Sequence, residues 1–270
     1  MSRTAWAPES DPLIGLVTER PPANGESPGS AASIASGTDR SIVDVESSIA
    51  DLGAAAVSGN LEDVLADEPS LLVTPGERAL TEAASRARAT PILPVGTVPG
   101  VPTIDRTSVE GALEAALDGG AVLSEQPLLT AETPRGRRDR GVFDVTLVTE
   151  EPAQISEYGV RSRDESIAQF RADGVVAATA AGSHGYASTV DGPLLSRAID
   201  ALVVVPIAPF VTRTRQWVLP DDELTLSVER DEDPVVLCVD DRSVERIPAG
   251  ESVSVSASET SAVLTVPDSS

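Results

Sequence analysis

The character of the apolar runs changes part-way along the chain, and this change limits the possible folds more than any other feature of the sequence. Between residues 12 and 118, short apolar runs alternate with segments of helical spacing. Such alternation predicts a parallel sheet with helices on its faces. From Ala121 onward the runs are short, β-branched and separated by turn residues, which is typical of an all-β sandwich of roughly seven to nine strands. We therefore predict a Rossmann-like α/β domain over residues 1–118 and a β-sandwich domain over residues 119–270.

The positions of the elements follow from the same patterns. Residues 20–40 are rich in Pro, Gly and Ser, which predicts a flexible loop. A basic run at 135–140 predicts a solvated turn tip, with an anion site as the alternative. Apolar spacing predicts helices at 41–52, 60–66, 77–88 and 108–117. It predicts strands at 12–19, 70–74, 90–95, 121–123, 142–149, 174–178, 201–207, 223–228, 235–239, 252–257 and 262–266.

The charge of the chain restricts its partners. The sequence holds 43 acidic and 20 basic residues, a formal net charge of −23, and every basic residue other than the single histidine is arginine. Without a basic stripe that could pair with phosphates, nucleic acid and anionic membranes are not expected partners. An acidic surface stays hydrated in a salt-rich cytosol, where the Debye length falls to about 3 Å at molar salt. We therefore predict a halophilic source.

Cysteine usage and the N-terminus bear on the compartment. Cys238 is the one cysteine, so an intrachain disulfide or a cysteine metal cluster is excluded, and a core position is the expected role. The first residues have no apolar signal-peptide region, and no run approaches 18 apolar residues. We expect a cytoplasmic protein without a membrane partner.

A stretch of small residues between two apolar runs is the best candidate for a binding site. Two glycines and two hydroxyl residues lie within Thr179–Tyr186, and glycine lets a ligand approach the backbone closely. Between Asp173 and Pro220 the chain follows, without a gap, the pattern DG-x4-T-x2-GS-x2-Y, then GP, PI-x-P and R-x2-V-x-P. This ordered pattern resembles the signature of the NAD kinase family.

The resemblance implies a fold and an activity. It implies an α/β domain and a β-rich domain with the nucleotide held between them, and a C-terminal tail that leans back on the first domain. The implied reaction transfers the γ-phosphoryl group of ATP, with a divalent cation such as Mg²⁺, to the 2′-hydroxyl of the adenosine ribose of NAD and so forms NADP. NAD, NADP and ATP are thus the expected ligands, and a homo-oligomer is the expected assembly.

The resemblance also implies nucleotide-binding residues, and for several of them the residue type leaves a second role open. Asp173 corresponds to an acceptor for the nicotinamide amide, and Asp144 to a family asparagine, with a strand-end turn as its alternative. His184 is a pocket-lining residue, an exposed turn residue or a general base. Arg215 contacts the nucleotide or, like Arg213, pairs with Asp221 and Asp222. The other expected nucleotide-binding residues are Gly76, Gly174, Gly182, Ser183, Gly185, Tyr186 and Thr189; no metal-ligating residue is assigned.

One family motif is degenerate in this chain. The family carries a GGDG turn whose aspartate takes the proton of the attacking hydroxyl, and the corresponding residues here are Thr74-Pro75-Gly76-Glu77. Proline lacks a backbone N–H and glycine cannot accept a proton. Glu77 is the one carboxylate left in the turn, so it is either a replacement base or an acidic residue that stabilises the first turn of a helix.

Two functions therefore compete at this point. The first is an ATP-dependent NAD kinase, and the second is a non-catalytic relative that binds NAD or NADP after loss of phosphotransfer. A kinase for another acceptor, such as a lipid, is more remote, because related lipid kinases use a similar turn and the same missing aspartate.

Overall fold

The chain folds into two compact units that are not consecutive in sequence. A computed structural model describes residues 3–8, 11–18, 45–87, 89–151, 154–211, 215–230 and 233–267. Unit 1 comprises Met1–Glu125 and Ser261–Ser270, and unit 2 comprises Gln126–Thr260. The loop expected at 20–40, the start of the helix expected at 41–52 and Arg213 lie outside the described residues.

Unit 1 is built on a parallel sheet. Its four parallel strands have the order β3-β2-β4-β5, and Ile92 of β5 also pairs in parallel with Val263 near the end of β17. A short first strand, β1, pairs antiparallel with the start of β6. The strands are β1 (Arg3–Ala5), β2 (Leu13–Val17), β3 (Ala55–Gly59), β4 (Leu71–Pro75), β5 (Ile92–Val95), β6 (Val122–Glu132) and β17 (Ser252–Thr265), of which β6 and β17 also extend into unit 2.

Helices cover both faces of this sheet, and the alternation of buried side chains along β4 separates the faces. Val73 joins a core with residues of α1 and α4, whereas Leu72 points to the opposite face, which α2 covers. Helix α3 packs against α2, β4 and β5, so it lies on the Leu72 face. The helices are α1 (described over 45–51), α2 (Leu61–Ala66), α3 (Gly76–Arg86) and α4 (Val109–Leu117).

Unit 2 is a sandwich of antiparallel strands. One sheet has the order β13-β12-β11-β8-β15-β16. The opposite sheet has the order β10-β9-β14-β17, and β6 pairs with both β17 and β7. A continuous apolar core fills the space between the two sheets. The further strands are β7 (Arg138–Gly141), β8 (Asp144–Thr149), β9 (Ser156–Ser162), β10 (Glu165–Ala172), β11 (Gly174–Ala178), β12 (Ala201–Ile207), β13 (Trp217–Pro220), β14 (Leu224–Arg230), β15 (Val235–Val239) and β16 (Arg242–Ile247).

The predicted fold class is confirmed, and the differences are in individual strands. The sequence patterns missed the strands β1, β3, β7, β13 and β16 and the β9–β10 hairpin. In the hairpin, exposed polar residues such as Glu165 and Gln169 obscure the apolar alternation. The strands expected at 252–257 and 262–266 form one strand, β17. The basic run at 135–140 is the β6–β7 turn, and its arginines pair with acidic side chains: Arg135–Glu245, Arg137–Asp139, Arg138–Glu132 and Arg140–Glu259.

Candidate functional site

The turn that corresponds to the family GGDG motif connects β4 to α3 in unit 1. Gly76 has a φ of +74°, which only glycine adopts without strain. Pro75 is the N-cap of α3 and, like any proline, provides no side-chain cap hydrogen bond. Glu77 is exposed in the first turn of α3, where a negative charge interacts favourably with the helix dipole. The structure therefore shows a helix start with one carboxylate, and Gly76 has no side chain that could take a proton.

Asp144 opens β8 in unit 2, and a buried hydrogen-bond network fixes its backbone. The carboxylate of Asp240 accepts hydrogen bonds from the N–H groups of Val142 (3.1 Å), Phe143 (2.8 Å) and Asp144 (3.3 Å). The Asp240 N–H in turn donates to the Asp144 carbonyl at 2.9 Å. Asp144 is 7% exposed, and its carboxylate accepts a hydrogen bond from the Thr146 hydroxyl at 3.1 Å. Its position is thus set from both the main chain and the side chain.

Burial determines the protonation behaviour of Asp240. Desolvation raises the pKa of the Asp240 carboxyl above its usual value, although the three N–H groups and Arg242 act in the opposite direction. The residue also has a φ of +50° in the tight turn between β15 and β16. A carboxylate that tolerates this conformation and accepts three N–H groups has a structural function at this point.

The glycines and hydroxyl groups after β11 mainly make contacts within the protein, through close packing and hydrogen bonds to backbone groups. A Cβ on Gly182 would lie 2.0 Å from the Phe143 carbonyl oxygen, so glycine is required there by protein packing. The hydroxyl of Thr179 donates to the Val142 carbonyl at 2.8 Å and accepts from the Gly182 N–H at 3.1 Å. Ser183 is fully buried; its hydroxyl donates to the Ala180 carbonyl at 2.7 Å and accepts from the Leu195 N–H at 3.0 Å. These contacts dock the segment onto the start of β8.

The other residues of this segment are open to solvent. His184 and Thr189 are exposed, Gly185 is half-buried, and the Thr189 hydroxyl donates to the Tyr186 carbonyl at 2.7 Å. Among the roles considered for His184, the structure places the residue on an exposed turn. Gly174 is buried, and a Cβ there would lie 2.5 Å from the Leu147 carbonyl oxygen, so this glycine also serves strand packing.

Tyr186 lies within electrostatic range of both predicted aspartates, Asp144 and Asp173. Burial raises the pKa of its phenol, and electrostatic interactions with Asp144, Asp173 and Cys238 raise it further. The side chain is still 44% exposed, so the hydroxyl is protonated at neutral pH and can reach a ligand. Aromatic residues of this kind offer a ring face for stacking together with a polar tip.

Cys238 does not occupy the core position expected from the sequence. It is half-buried and pairs with Thr146 across β15 and β8. Its neighbours Leu237 and Val239 point into the sandwich core, so the thiol lies on the outer face with Asp144 and Thr146. Burial raises the pKa of the Cys238 thiol, with Asp144 and Asp241 adding to the shift. The thiol is therefore protonated at neutral pH.

Asp173 is separated from this group along the sheet. The ladder pairs Gly174 with Val148 and Ala178 with Asp144, so Asp173 and Asp144 belong to opposite ends of the β8–β11 pair, roughly 17 Å apart at about 3.4 Å per residue. The Asp173 carbonyl accepts hydrogen bonds from the Thr149 hydroxyl and the Tyr158 hydroxyl, both at 3.2 Å. Asp173 is half-buried, and its charge, like that of Asp144, acts on the phenol of Tyr186.

The acidic residues after β12 do not form the ion pairs with Arg215 that one alternative predicts. Asp222 forms an ion pair with Arg163 at 2.9 Å, and this contact lowers the pKa of the Asp222 carboxyl. Among the described residues Arg215 is exposed and forms no ion pair with Asp221 or Asp222. The alternative in which Arg215 pairs with these aspartates is therefore wrong.

Three residues of this site were not expected from the sequence: Asp240, Thr146 and Cys238. Nothing in the sequence shows that the turn with Asp240 reaches the backbone of Asp144. Alternation along 142–149 and 235–239 would have placed Thr146 and Cys238 on the Asp144 face, because side chains of a strand alternate between faces. Within the described part of the chain, no three His, Cys, Asp or Glu side chains group as a metal site, and no helix is long and apolar enough to cross a bilayer.

Comparisons with known proteins show similarity to NAD kinases over part of the chain. Residues 143–266 match the model of the ATP-NAD kinase C-terminal domain. NAD kinase from Methanosarcina barkeri is 37% identical over 105 residues, which are 38% of each protein, and NAD kinase from Chloroflexus aurantiacus is 30% identical over 171 residues, which are 61% of this chain and 62% of that protein. The matched part thus spans about two fifths to three fifths of the length of these relatives.

Solved structures show the same fold at low sequence identity. Yeast NADH kinase complexed with NADH superposes with a TM-score of 0.75 at 15% identity, over 96% of this chain and 85% of that chain. An NAD kinase from Archaeoglobus fulgidus in complex with ATP superposes with a TM-score of 0.72 at 18% identity, over 95% and 94% of the two chains. The chain therefore shares the fold of these kinases, and residues 143–266 match the ATP-NAD kinase C-terminal domain.

Proposed function

We propose that this protein is an NAD kinase that binds NAD on the outer face of unit 2 and uses ATP to phosphorylate the 2′-hydroxyl of the adenosine ribose. One observation carries the proposal. Within the residues that match the family model, Asp144 is fixed by Asp240 and lies in electrostatic range of the half-exposed phenol of Tyr186. An acceptor on a rigid strand end and a donor within electrostatic range of it are thus present together.

The residues of unit 2 suit a dinucleotide. The ring of Tyr186 can stack on a base and its protonated hydroxyl can donate a hydrogen bond. The Asp144 carboxylate can accept hydrogen bonds from ribose hydroxyls or from an amino group. Asp173 offers a second acceptor for the nicotinamide amide, and Arg215 provides positive charge for phosphates. Gly182 and Ser183 support this arrangement from within the protein.

Phosphoryl transfer requires little covalent work from the protein. The bond between the γ-phosphorus and its bridging oxygen breaks, a new bond to the ribose 2′-oxygen forms, and the hydroxyl proton moves to a base. Glu77 is the one carboxylate of the β4–α3 turn and is our candidate for that base. A single carboxylate fits a magnesium ion carried by ATP phosphates, since Mg²⁺ is usually held by substrate oxygens and one or two carboxylates. When bound, the metal neutralises phosphate charge.

A second function is favoured by one specific observation, the loss of the turn aspartate. Gly76 stands at the aligned position with a φ of +74°, so the turn has no side chain at the point where the family has its proton acceptor. In this alternative the protein binds NAD or NADP on unit 2 without turnover. The two functions share the unit 2 site and differ only in unit 1.

The experiment that separates them measures binding and turnover on the same protein. Purified protein is incubated with ATP, Mg²⁺ and NAD in molar salt, and NADP is detected with a coupled dehydrogenase, while NAD binding is measured by calorimetry. The kinase proposal expects turnover that falls at least about 100-fold in Glu77→Gln, as for loss of a general base, with NAD affinity unchanged. Glu114→Gln removes an exposed carboxylate of α4 and serves as the matched control.

Each remaining outcome is decisive. NAD binding without turnover in the wild-type protein supports the non-catalytic alternative. Turnover that survives Glu77→Gln removes Glu77 as the base, and the absence of NAD binding rejects both functions.

Exposed apolar side chains support a homo-oligomer. Six large apolar residues of unit 2 are exposed, all come from residues 186–218, and exposed apolar patches mark interaction surfaces. Arg197 belongs to the same segment; its Nε is buried and has no hydrogen-bond partner among the described residues, and burial lowers the pKa of its guanidinium. A carboxylate from a second copy of this acidic chain would supply the missing hydrogen-bond partner of Arg197. The six are Tyr186, Leu194, Ile199, Phe210, Val211 and Val218.

Light scattering tests the assembly, and cell fractionation tests the location. The double variant Leu194→Ser/Ile199→Ser is expected to shift the measured mass to that of the monomer, whereas a monomeric wild-type protein would contradict the proposal.

We also propose that the protein works in the cytoplasm, because ATP and NAD are available there. Recovery of the protein from another cell fraction would contradict this.

A further inference from the structure

The corner between β10 and β11 in unit 2 contains Asp173 and joins the two sheets of the sandwich. Strand β10 ends at Ala172 in one sheet, and β11 begins at Gly174 in the opposite sheet. The chain therefore changes sheets within the single residue Asp173. A Cβ on Gly174 would lie 2.5 Å from the Leu147 carbonyl oxygen, so the chain packs closely against β8 directly after the corner.

Hydrogen bonds hold the main chain of Asp173 on both sides of its Cα atom. Its N–H donates to the Ile207 carbonyl at 3.0 Å, and its carbonyl accepts from the Thr149 N–H at 3.0 Å. The Tyr158 hydroxyl donates to the same carbonyl at 3.2 Å. Because each peptide unit is planar, these bonds fix the two peptide planes that meet at the Asp173 Cα. They thereby fix the direction in which its side chain leaves the backbone.

Two hydroxyl groups compete for the Asp173 carbonyl, and Tyr158 is the better donor. The Thr149 hydroxyl lies 3.2 Å from three carbonyl oxygens, although a hydroxyl has one hydrogen to donate. A carbonyl oxygen has two lone pairs, which the Thr149 N–H and the Tyr158 hydroxyl fill. The Thr149 hydroxyl then remains available to the residues after β8. The three carbonyls near it are those of Glu151, Gln154 and Asp173.

The burial of Tyr158 gives its hydroxyl a specific purpose. Tyr158 is the largest fully buried side chain among the described residues, and its ring centroid lies 6.4 Å from that of Phe170. A phenylalanine would fill the same space without a polar group, and a buried hydroxyl costs free energy unless it is hydrogen-bonded. Burial raises the pKa of the Tyr158 phenol, and electrostatic interaction with Asp173 raises it further. The hydroxyl therefore remains a donor at neutral pH.

We propose that Tyr158 is a positioning residue for the dinucleotide, because through the Asp173 carbonyl it holds the carboxylate that accepts the nicotinamide amide. The inference rests on the proposed function, in which Asp173 is that acceptor, and adds a residue that touches no ligand. Asp173 itself is half-buried and acts electrostatically on the phenol of Tyr186. A fixed carboxylate accepts from an amide and repels a second carboxylate. The corner therefore favours NAD over its deamidated form, nicotinic acid adenine dinucleotide.

Calorimetric titration of both dinucleotides into the full chain tests this inference, at a salt concentration that keeps the protein folded. Tyr158→Phe keeps the ring in the core and is expected to weaken NAD binding about three- to tenfold, the loss expected for one hydrogen bond. The deamidated dinucleotide gains nothing from a fixed Asp173, so its affinity is expected to stay unchanged. The preference for NAD therefore falls, whereas a purely structural defect would lower both affinities alike.

Two further variants separate positioning from stability. Asp173→Ala removes the carboxylate, and in this background Tyr158→Phe is expected to cause no further loss of NAD affinity, because the two residues act as one unit. Thr133→Val is the matched control, since it deletes a buried hydroxyl that accepts from the Arg137 N–H at 3.3 Å in the β6–β7 turn. It is expected to leave NAD affinity unchanged. Hydrogen exchange of the Asp173 amide in the ligand-free protein should accelerate in Tyr158→Phe and not in Thr133→Val.

The outcomes distinguish this inference from the proposed function. NAD binding that is unchanged in Tyr158→Phe, or equal losses for both dinucleotides, overturns the inference and leaves the proposed NAD site in place. A loss that persists in the Asp173→Ala background also overturns it. A wild-type protein that binds no NAD rejects the proposed function together with the inference. Where turnover is measured, KM for NAD is expected to rise with kcat unchanged, because Asp173 contacts the nicotinamide and not the reacting hydroxyl.

Discussion

At the residue scale, Asp240 is the side chain on which the unit 2 site depends most. Its carboxylate holds three consecutive N–H groups before and at Asp144, and the carbonyl groups of the same bend are held by Thr179. The strand end that carries Asp144 is therefore clamped from both sides. No contact of Asp240 with a ligand is needed for this role, because it acts through the backbone.

Replacement of Asp240 should affect stability in a pH-dependent way. Asp240→Asn loses one acceptor and places an NH₂ group against an N–H group, which is expected to cost about 1–3 kcal/mol in the free energy of unfolding. Because the folded-state pKa of Asp240 is raised, the folded state holds its proton more tightly than the unfolded state. The stability from this group is therefore present at low pH and falls as the pH rises through the folded-state pKa.

Urea unfolding of both proteins across the acidic range measures this difference. The advantage of the wild type over Asp240→Asn should shrink as the pH rises above about 4, the unfolded value. An advantage that grows with pH over this range would show that the N–H groups, and not burial, dominate the pKa of Asp240.

At the scale of elements, the segment after β11 docks on the start of β8 by a backbone-to-backbone contact. Gly182 allows this contact, since the Phe143 carbonyl oxygen occupies the space of its missing side chain. The sequence motif predicted this glycine as a ligand contact, and the structure shows what it does within the protein. Similar local constraints apply wherever an added side chain would meet backbone atoms, because moving the backbone aside costs free energy in a close-packed interior.

Substitution at Gly182 should therefore be severe. Gly182→Ala is expected to destabilise unit 2 by about 3 kcal/mol or more through overpacking, and to increase amide exchange at Thr179 and Leu195. Gly111→Ala adds the same methyl group to α4, where nothing lies within 4 Å, and should stabilise the protein by about 0.5–1 kcal/mol. Thermal unfolding and hydrogen exchange measure both; a neutral Gly182→Ala would show that the segment can lift from β8.

Most elements could be predicted from the sequence because their apolar patterns are strong. Strand β4 is buried on both faces and reads as a continuous apolar run, and α4 shows clear helical spacing. The β9–β10 hairpin could not be found this way, because one side of each strand is exposed and polar. In the site, the resemblance indicated Asp144 and Tyr186, but spacing alone cannot show that Asp240 reaches the bend at 142–144, almost 100 residues away in sequence.

At the scale of the whole molecule, the charge of −23 should make folding dependent on salt. Self-repulsion of the acidic surface destabilises the compact state and is screened as the Debye length falls. We expect the melting temperature to rise between dilute buffer and about 1 M KCl, the range in which the Debye length falls to about 3 Å. A non-ionic osmolyte at equal osmolality is the control; an equal rise with the osmolyte, or no rise with KCl, would contradict a halophilic adaptation.

The division of unit 1 along the sequence has a consequence for how the protein is made. Its parallel sheet includes Val263, beside Ile92, whereas the intervening residues 126–260 form the other unit. During vectorial synthesis, Val263 can join this sheet only after residues 126–260 have been made. All residues of the sandwich therefore leave the ribosome before the parallel sheet of unit 1 can be completed.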